Sequence, residues 1–468
     1  MREGINVLLE GIKIVSTVNK QRECFLSGAT LPYVFRVKQL KNLYHAIKEN
    51  EGLIFEALEK DLGKSAFESY ATEVSMVYAE INHTLKHLKR WMKDQKTATT
   101  VISFGGRSRI HLQPLGVTLI MAPWNYPFQL TITPLIAAMA AGNCVVLKPS
   151  RYSGHTSEIL AKLINDHFSQ EYIALFQGGK EVNTELLKIR FDHIFFTGSM
   201  RVGKIVMEAA AKHLTPVTLE LGGKSPCLVD QTADLEKTAL RIIWGKALNA
   251  GQTCVAPDYV LVHSAVRQQL ISAMEKAIKK FFGDSAIKSQ DFGRIIREEA
   301  FDRLQTLIRQ EQGKVICGGF CDQEQLKIDL TLLDNPDLNS EVMQEEIFGP
   351  ILPIIPYDHL EEAVKIIRSR EKPLALYLFT KDQDLENWVV HNLHYGGGCI
   401  NDTVMHVANY HLPFGGVGAS GMGAYHGKKG FETFSHAKSI LKQTFAFDMP
   451  LRYAPYKNKL KLLRRIVK

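Results

Sequence analysis

Two residues in this chain have the types and settings that covalent chemistry requires. Cys254 closes the run Leu248-Asn249-Ala250-Gly251-Gln252-Thr253-Cys254, and Glu220 stands in Leu219-Glu220-Leu221-Gly222-Gly223-Lys224, which ends 30 residues before the cysteine. A thiolate is a strong nucleophile when its niche is partly exposed and electropositive, and glycines beside it leave an approach path. A glutamate within reach can later take a proton from water. The pair therefore suits a cycle in which sulfur attacks an electrophilic carbon and activated water frees the product. Each residue also has an ordinary alternative, because a single cysteine in apolar surroundings is commonly a small core residue and a Glu before Gly-Gly can simply end a strand.

The elements that must position this pair belong to a large soluble chain. At 468 residues, with 45% hydrophobic and 23% charged residues, it can bury a sizeable core in about three lobes. The longest uninterrupted apolar run, Leu135 to Ala141, is far shorter than the roughly 18 residues of a membrane span. The N-terminal stretch breaks its apolar run at Asn6 and Glu10 and does not resemble a secretory signal, so the cytoplasm is the expected location. Seven scattered cysteines without a CxxC pair argue against a disulfide framework and against a metal site. The net charge of +8 is concentrated in the tail, where Arg452, Lys457, Lys459, Lys461, Arg464, Arg465 and Lys468 stand without an acid. The near-neutral body gives no reason to expect nucleic-acid binding.

Apolar spacing predicts helices up to about residue 95, and short β-like pieces at 97–114 predict an arm leaving the body. Strands are then expected at 116–121, 144–148, 172–176, 192–196 and 217–220, with helices at 130–141, 155–167, 181–189 and 202–212 between them. This alternation implies an α/β fold with a doubly wound parallel sheet, whose ligands sit at the C-terminal strand ends. A second α/β series follows a boundary near residue 221, with a helix at 233–249 and strands at 227–229, 259–262, 351–355 and 374–379 among its elements.

With the segments placed, the chain closely resembles the aldehyde dehydrogenase superfamily, in its short class-3 branch that includes fatty-aldehyde dehydrogenases. The residues that carry the likeness are Ala122-Pro123-Trp124-Asn125-Tyr126-Pro127, Leu147-Lys148-Pro149-Ser150, Phe196-Thr197-Gly198-Ser199, Val202-Gly203, the two runs around Glu220 and Cys254, Glu346-Ile347-Phe348-Gly349-Pro350, and Pro413-Phe414-Gly415-Gly416-Val417-Gly418. They stand in order from about residue 35 to residue 440. The resemblance implies two doubly wound parallel-sheet lobes plus a small β oligomerisation arm. It divides the chain into an NAD(P)-binding domain at 1–96 and 115–220, a catalytic domain at 221–423, an arm at 97–114 and 424–446, and a basic tail at 447–468.

By the same resemblance Cys254 attacks an aldehyde carbon, the Asn125 amide and the Cys254 N–H hold the oxyanion, and Glu220 activates the water that yields a carboxylate. Relatives that pass the acyl group to coenzyme A generally lack this glutamate, and a non-catalytic protein on this scaffold would be expected to have lost Cys254 or Asn125. NAD or NADP is the implied cofactor. Gly198, Ser199 and Gly203 would face its phosphates, Lys148 its adenine ribose, Glu346 and Phe348 its nicotinamide half, and Ser150 and Leu221 would complete the cofactor set. Where class-3 relatives usually carry Lys-Pro-Ser-Glu, this chain has Lys148-Pro149-Ser150-Arg151. A carboxylate there repels a 2′-phosphate and an arginine can pair with one. Arg151 thus points to use of NADP at least as well as NAD, unless it faces solvent.

Tyr126, Trp244 and the stretch near 400–411 are the expected walls of a funnel for medium- to long-chain aliphatic or aromatic aldehydes. Class-3 relatives are typically dimers, so a homodimer through the arm is expected. Leu460, Leu463 and Val467 stand at helical spacing among lysines and arginines, a pattern that suits peripheral contact with an anionic membrane or a solvated tail.

Overall fold

The structure, a computed structural model, describes residues 2–446 and 448–466. Two parallel sheets organise it. The first has six strands in the order Gly421–Met422, Val217–Glu220, His193–Thr197, Val117–Met121, Cys144–Lys148 and Ile173–Leu175, all parallel except the first. Its central strands are apolar along their whole length because helices cover both faces, and every residue of Val117–Met121, Cys144–Lys148 and His193–Thr197 is buried. Register decides what this sheet presents. Met121 pairs with Lys148 and with Phe196, and Thr197 pairs with Glu220, so the C-terminal ends of four strands meet along one edge.

The helix Gln129–Ala141 is mostly apolar and buried at every position, its polar Gln129, Thr131 and Thr133 included, as in a helix enclosed on all sides. Before it, the helices Tyr33–Glu49, Glu51–Leu62 and Ser75–Trp91 form the helical entry, with a π turn at Tyr70–Val74 that directs Glu73 inward.

The second sheet has seven strands, ordered Val315–Cys317, Thr331–Asp334, Ile351–Tyr357, Tyr259–His263, Pro226–Val229, Ala375–Phe379 and Gly397–Ile400, parallel except at its first pair. A third sheet, entirely antiparallel, joins Gln95–Thr97, Arg107–Pro114 and Ser435–Lys442.

Two details differ from the expectations. The segment 424–434 does not join the antiparallel arm. Its helix Gly427–Thr433 buries Phe431 against Trp91, with ring centroids 5.8 Å apart, and Phe434 stacks on Phe195 at 5.8 Å, so these aromatic side chains keep it on the body until Ser435. Gly421–Met422, placed by sequence in the second lobe, pairs instead with Leu219–Glu220 of the first sheet. The Leu221 N–H donates to the Ser420 carbonyl at 3.0 Å, and the strand end bearing Glu220 is thereby covered.

Candidate active site

The loop that carries Cys254 follows the helix Leu235–Ala247 and turns through three left-handed residues in succession, Asn249 (φ 53°), Ala250 (φ 52°) and Gly251 (φ 76°). Only glycine takes this conformation without cost, and any Cβ at Gly251 would strike the Gly349 carbonyl. Hydrogen bonds, most of them from distant segments, hold Asn249 and the Gln252 that follows this turn. The Asn249 N–H donates to Glu68 Oε1 at 2.6 Å, and its side-chain amide donates to the Asn125 carbonyl at 2.7 Å and the Gln252 carbonyl at 3.1 Å. The Gln252 amide donates to the Asn249 and Arg294 carbonyls and accepts from the Ile296 N–H at 3.0 Å.

Asn125 sits just beyond the strand Val117–Met121, buried, and donates from Nδ2 to the Gln252 carbonyl at 3.0 Å. That amide has a second hydrogen, so one donor is left beyond this bond. The Asn125 carbonyl also accepts from Lys64 Nζ at 3.1 Å. Lys64 in turn pairs with Glu73 at 2.6 Å with both side chains fully buried, and Glu73 Oε2 accepts from the Phe128 and Gln129 N–H groups at the start of the helix Gln129–Ala141. Tyr126 shares a 2.6 Å hydrogen bond with Thr253 Oγ1, and Lys64 Nζ lies 3.9 Å from the centre of its ring. Asn125 and Tyr126 are thus locked onto the two residues that precede the cysteine.

Cys254 is a free, partly exposed thiol. Burial pushes its pKa well up, the charges of Glu346 and then Glu220 push it further, and the N–H groups of Cys254 and Val255 pull the other way. Both carboxyls therefore share the environment of the sulfur. Glu220 is 1% exposed and neither of its carboxyl oxygens has a hydrogen-bond partner, so burial alone raises its pKa far above the usual carboxylate range. Glu346 lies against Gly222, accepts from the Gly223 N–H, and is pushed up to about 8 by burial and by Asp258. Burial thus works against the charged form of the thiol and of both carboxyls.

A second buried lysine positions Glu346. Lys224 Nζ donates to Asp258 at 2.6 Å, to the Val342 carbonyl at 2.7 Å and to the Glu345 carbonyl at 3.0 Å, while Asp258 Oδ1 accepts from the Ile347 N–H at 3.0 Å. Phe348 takes φ 53° and meets Trp124 edge-on, with centroids 5.4 Å apart.

The other cofactor candidates line the C-terminal edge of the six-stranded sheet. Lys148 ends its strand buried, donates to the Pro149 carbonyl at 2.7 Å and is lowered to about 8, first by burial and then by Arg151. Gly198 donates to the Glu220 carbonyl at 3.0 Å, and Ser199 caps the helix Met200–Ala211 by accepting from the Val202 N–H. A Cβ at Gly203 would lie 2.8 Å from Leu221 Cδ2, so the glycine lets that helix close on the end of the Glu220 strand. Ser150 accepts from the Tyr152 N–H at 3.2 Å, and Arg151 is exposed beside Gly179 and Tyr152. This edge, with a capped helix N-terminus and a buried lysine at a strand end, fits a dinucleotide. Trp244 is 37% exposed on the helix Leu235–Ala247, whose Gly245 faces Thr403.

A model of the aldehyde dehydrogenase family matches residues 13–440. This chain belongs to that family. Among relatives of the dehydrogenase is 4,4'-diaponeurosporen-aldehyde dehydrogenase of Staphylococcus aureus, 47% identical over 444 residues, 95% of this chain and 97% of the relative. The dimeric NADP-preferring aldehyde dehydrogenase of Rattus norvegicus is 50% identical over 428 residues, 92% of this chain and 94% of the relative. A solved structure described as a substrate-bound state of Staphylococcus aureus AldH superposes with TM-score 0.95 at 45% identity, covering 97% of this chain and 99% of that one. The protein is accordingly an NAD(P)-dependent enzyme that oxidises aldehydes to acids.

Sequence reasoning did not find Glu68, Lys64 and Glu73, or Lys224 and Asp258 in their roles at this site. Each acts through a partner remote in the chain, and the only local signal was Lys224 beside Gly222-Gly223.

Proposed function

We propose that the dehydrogenase oxidises medium- to long-chain aliphatic or aromatic aldehydes, with Cys254 as nucleophile, Asn125 as oxyanion donor and Glu220 as the base for hydrolysis. The observation that carries this reading is a partly exposed thiol with an asparagine amide locked beside it and two buried carboxyls in its electrostatic field. Sulfur bonds to the aldehyde carbon, and the charge that develops on oxygen is met by the spare Asn125 N–H and the Cys254 N–H. A bound NAD or NADP supplies the hydride acceptor. Glu220, which has no competing hydrogen bond, takes a proton from the water that breaks the sulfur–carbon bond and releases the carboxylate.

An aldehyde panel running from short to long chains, assayed with both cofactors, tests the substrate class; activity confined to the shortest members would overturn it. Arg151 supports use of NADP at least as well as NAD, and the ratio of kcat/KM values for the two cofactors tests it. A strong NAD preference that survives Arg151→Glu unchanged would reject that reading.

The free edge of Ser435–Lys442 supports a homodimer through the arm, because an exposed strand edge seeks a partner. Among the described residues no helix is long and apolar enough to cross a membrane. The helix Lys459–Ile466 exposes Leu460, Leu462 and Leu463 among its lysines and arginines, which supports a cytoplasmic enzyme with peripheral contact to an anionic membrane. Val467 lies outside the described residues. Salt-sensitive binding to anionic vesicles that is lost on deleting residues 457–468 is the expected result, and no binding at low salt rejects it.

A further inference from the structure

Arg151 is one of two arginines on a single aromatic ring. Its guanidinium lies 5.0 Å from the centre of the Tyr152 ring and donates to the Tyr152 hydroxyl at 3.4 Å. From the other lobe, Arg297 at the N-cap of the helix Glu298–Gln310 places its guanidinium 4.4 Å from the same ring centre. Lys148 is close enough to feel the charge of Arg151. Three cations thus gather at the end of the Cys144–Lys148 strand. Two carboxylates stand nearby: Glu181 lies by Gly179 on the Arg151 side, and Glu299, 77% exposed, forms a loose ion pair with Arg297 Nε at 3.8 Å. That Nε is shielded from solvent and has no hydrogen-bond partner.

Like charges this close repel unless a polyanion or an aromatic face separates them. Tyr152 relieves part of the repulsion through its ring face and its hydroxyl, yet Arg297 Nε is left without an acceptor. A phosphate dianion supplies both charge and acceptors, and guanidinium groups bind one through paired hydrogen bonds. We propose that Arg297 is the second arm of a 2′-phosphate clamp, with Tyr152 as the platform that spaces it from Arg151. NADP then bridges the two lobes in a way that NAD does not. This rests on the reading that Lys148 and Arg151 face the adenine ribose.

The test is calorimetric titration of the full-length enzyme with 2′,5′-ADP and with 5′-AMP, fragments that differ only in the phosphate at issue. Arg297→Gln is expected to lower the ratio of the two affinities by about tenfold or more, and Arg297→Lys to restore part of it. Tyr152→Ala is expected to lower the ratio as well. A bridge that merely joins the lobes would change melting temperature and weaken both fragments alike, so an unchanged ratio in Arg297→Gln overturns the clamp. If Arg151→Gln lowers the ratio while Arg297→Gln does not, the Arg151 reading stands and the clamp falls. If neither arginine alters the ratio, both fall.

Discussion

Burial pushes the Glu220 and Glu346 carboxyls and the Cys254 thiol up from their ordinary pKa values, and this sets the pH behaviour of the site. For Glu346 the ordinary value of 4.5 is raised to about 8. A carboxyl with a raised folded-state pKa contributes stability that is fully present below its unfolded value and is lost as pH rises through the folded one. Glu346→Gln is therefore expected to match the parent in melting temperature near pH 4, to exceed it increasingly from pH 5 to about pH 8, and to keep a constant lead above that. A thermal scan across that range checks it, and a constant difference would show that the carboxyl does not titrate with folding. Activity carries the opposite sign under the proposed roles of Cys254 and Glu220, which both require the deprotonated form: kcat/KM for an aldehyde is expected to rise with pH from 7 to 9. Glu220→Gln is expected to lower kcat by about 10²- to 10⁴-fold, the usual range for loss of a proton-transfer group, while folded stability holds or improves. Cys254→Ala is expected to remove turnover and leave the melting curve in place, measured as reduced-cofactor formation beside calorimetry.

At the scale of elements, the site depends on a loop and a strand end held by buried charges. Lys64 and Glu73 join the Asn125 turn to the start of the helix Gln129–Ala141, and neither side chain touches solvent. Removing one partner strands the other in a low-dielectric interior, so Lys64→Met is expected to cost about 3–5 kcal/mol, read from denaturant unfolding. It also frees the Asn125 carbonyl, so the variant is expected to lose kcat more than it raises KM. At Gly251 the positive φ and the Gly349 carbonyl leave no room for a methyl group. Gly251→Ala is expected to displace the cysteine loop, seen as slower labelling of Cys254 by a thiol reagent.

At the scale of the molecule, two sheets face the site from opposite sides and the antiparallel arm stands outside both. Its eight-residue pairing between Arg107–Pro114 and Ser435–Lys442 brings together segments more than 300 residues apart and leaves the outer edge of Ser435–Lys442 unpaired. Light scattering is expected to give twice the mass of the chain, and a monomer at micromolar concentration would show that the edge is protected in another way.

Sequence by itself determined the strand and helix alternation, because a run such as Cys144-Val145-Val146-Leu147-Lys148 needs only its own residues to declare a strand buried on both faces. It also singled out Cys254, Glu220 and Asn125 as candidates, through short blocks whose residue types and order are distinctive. Tertiary structure alone decided which charges hold them. Glu68 reaches Asn249 across 181 positions, Lys64 reaches Asn125 across 61, and Arg297 meets Tyr152 from another lobe. It also decided that Gly421–Met422 returns to the first sheet and that 424–434 stays on the body. The reason is physical: periodicity and turn chemistry are properties of neighbours in the chain, whereas a buried charge is satisfied by whichever partner the folded backbone brings within about 3 Å.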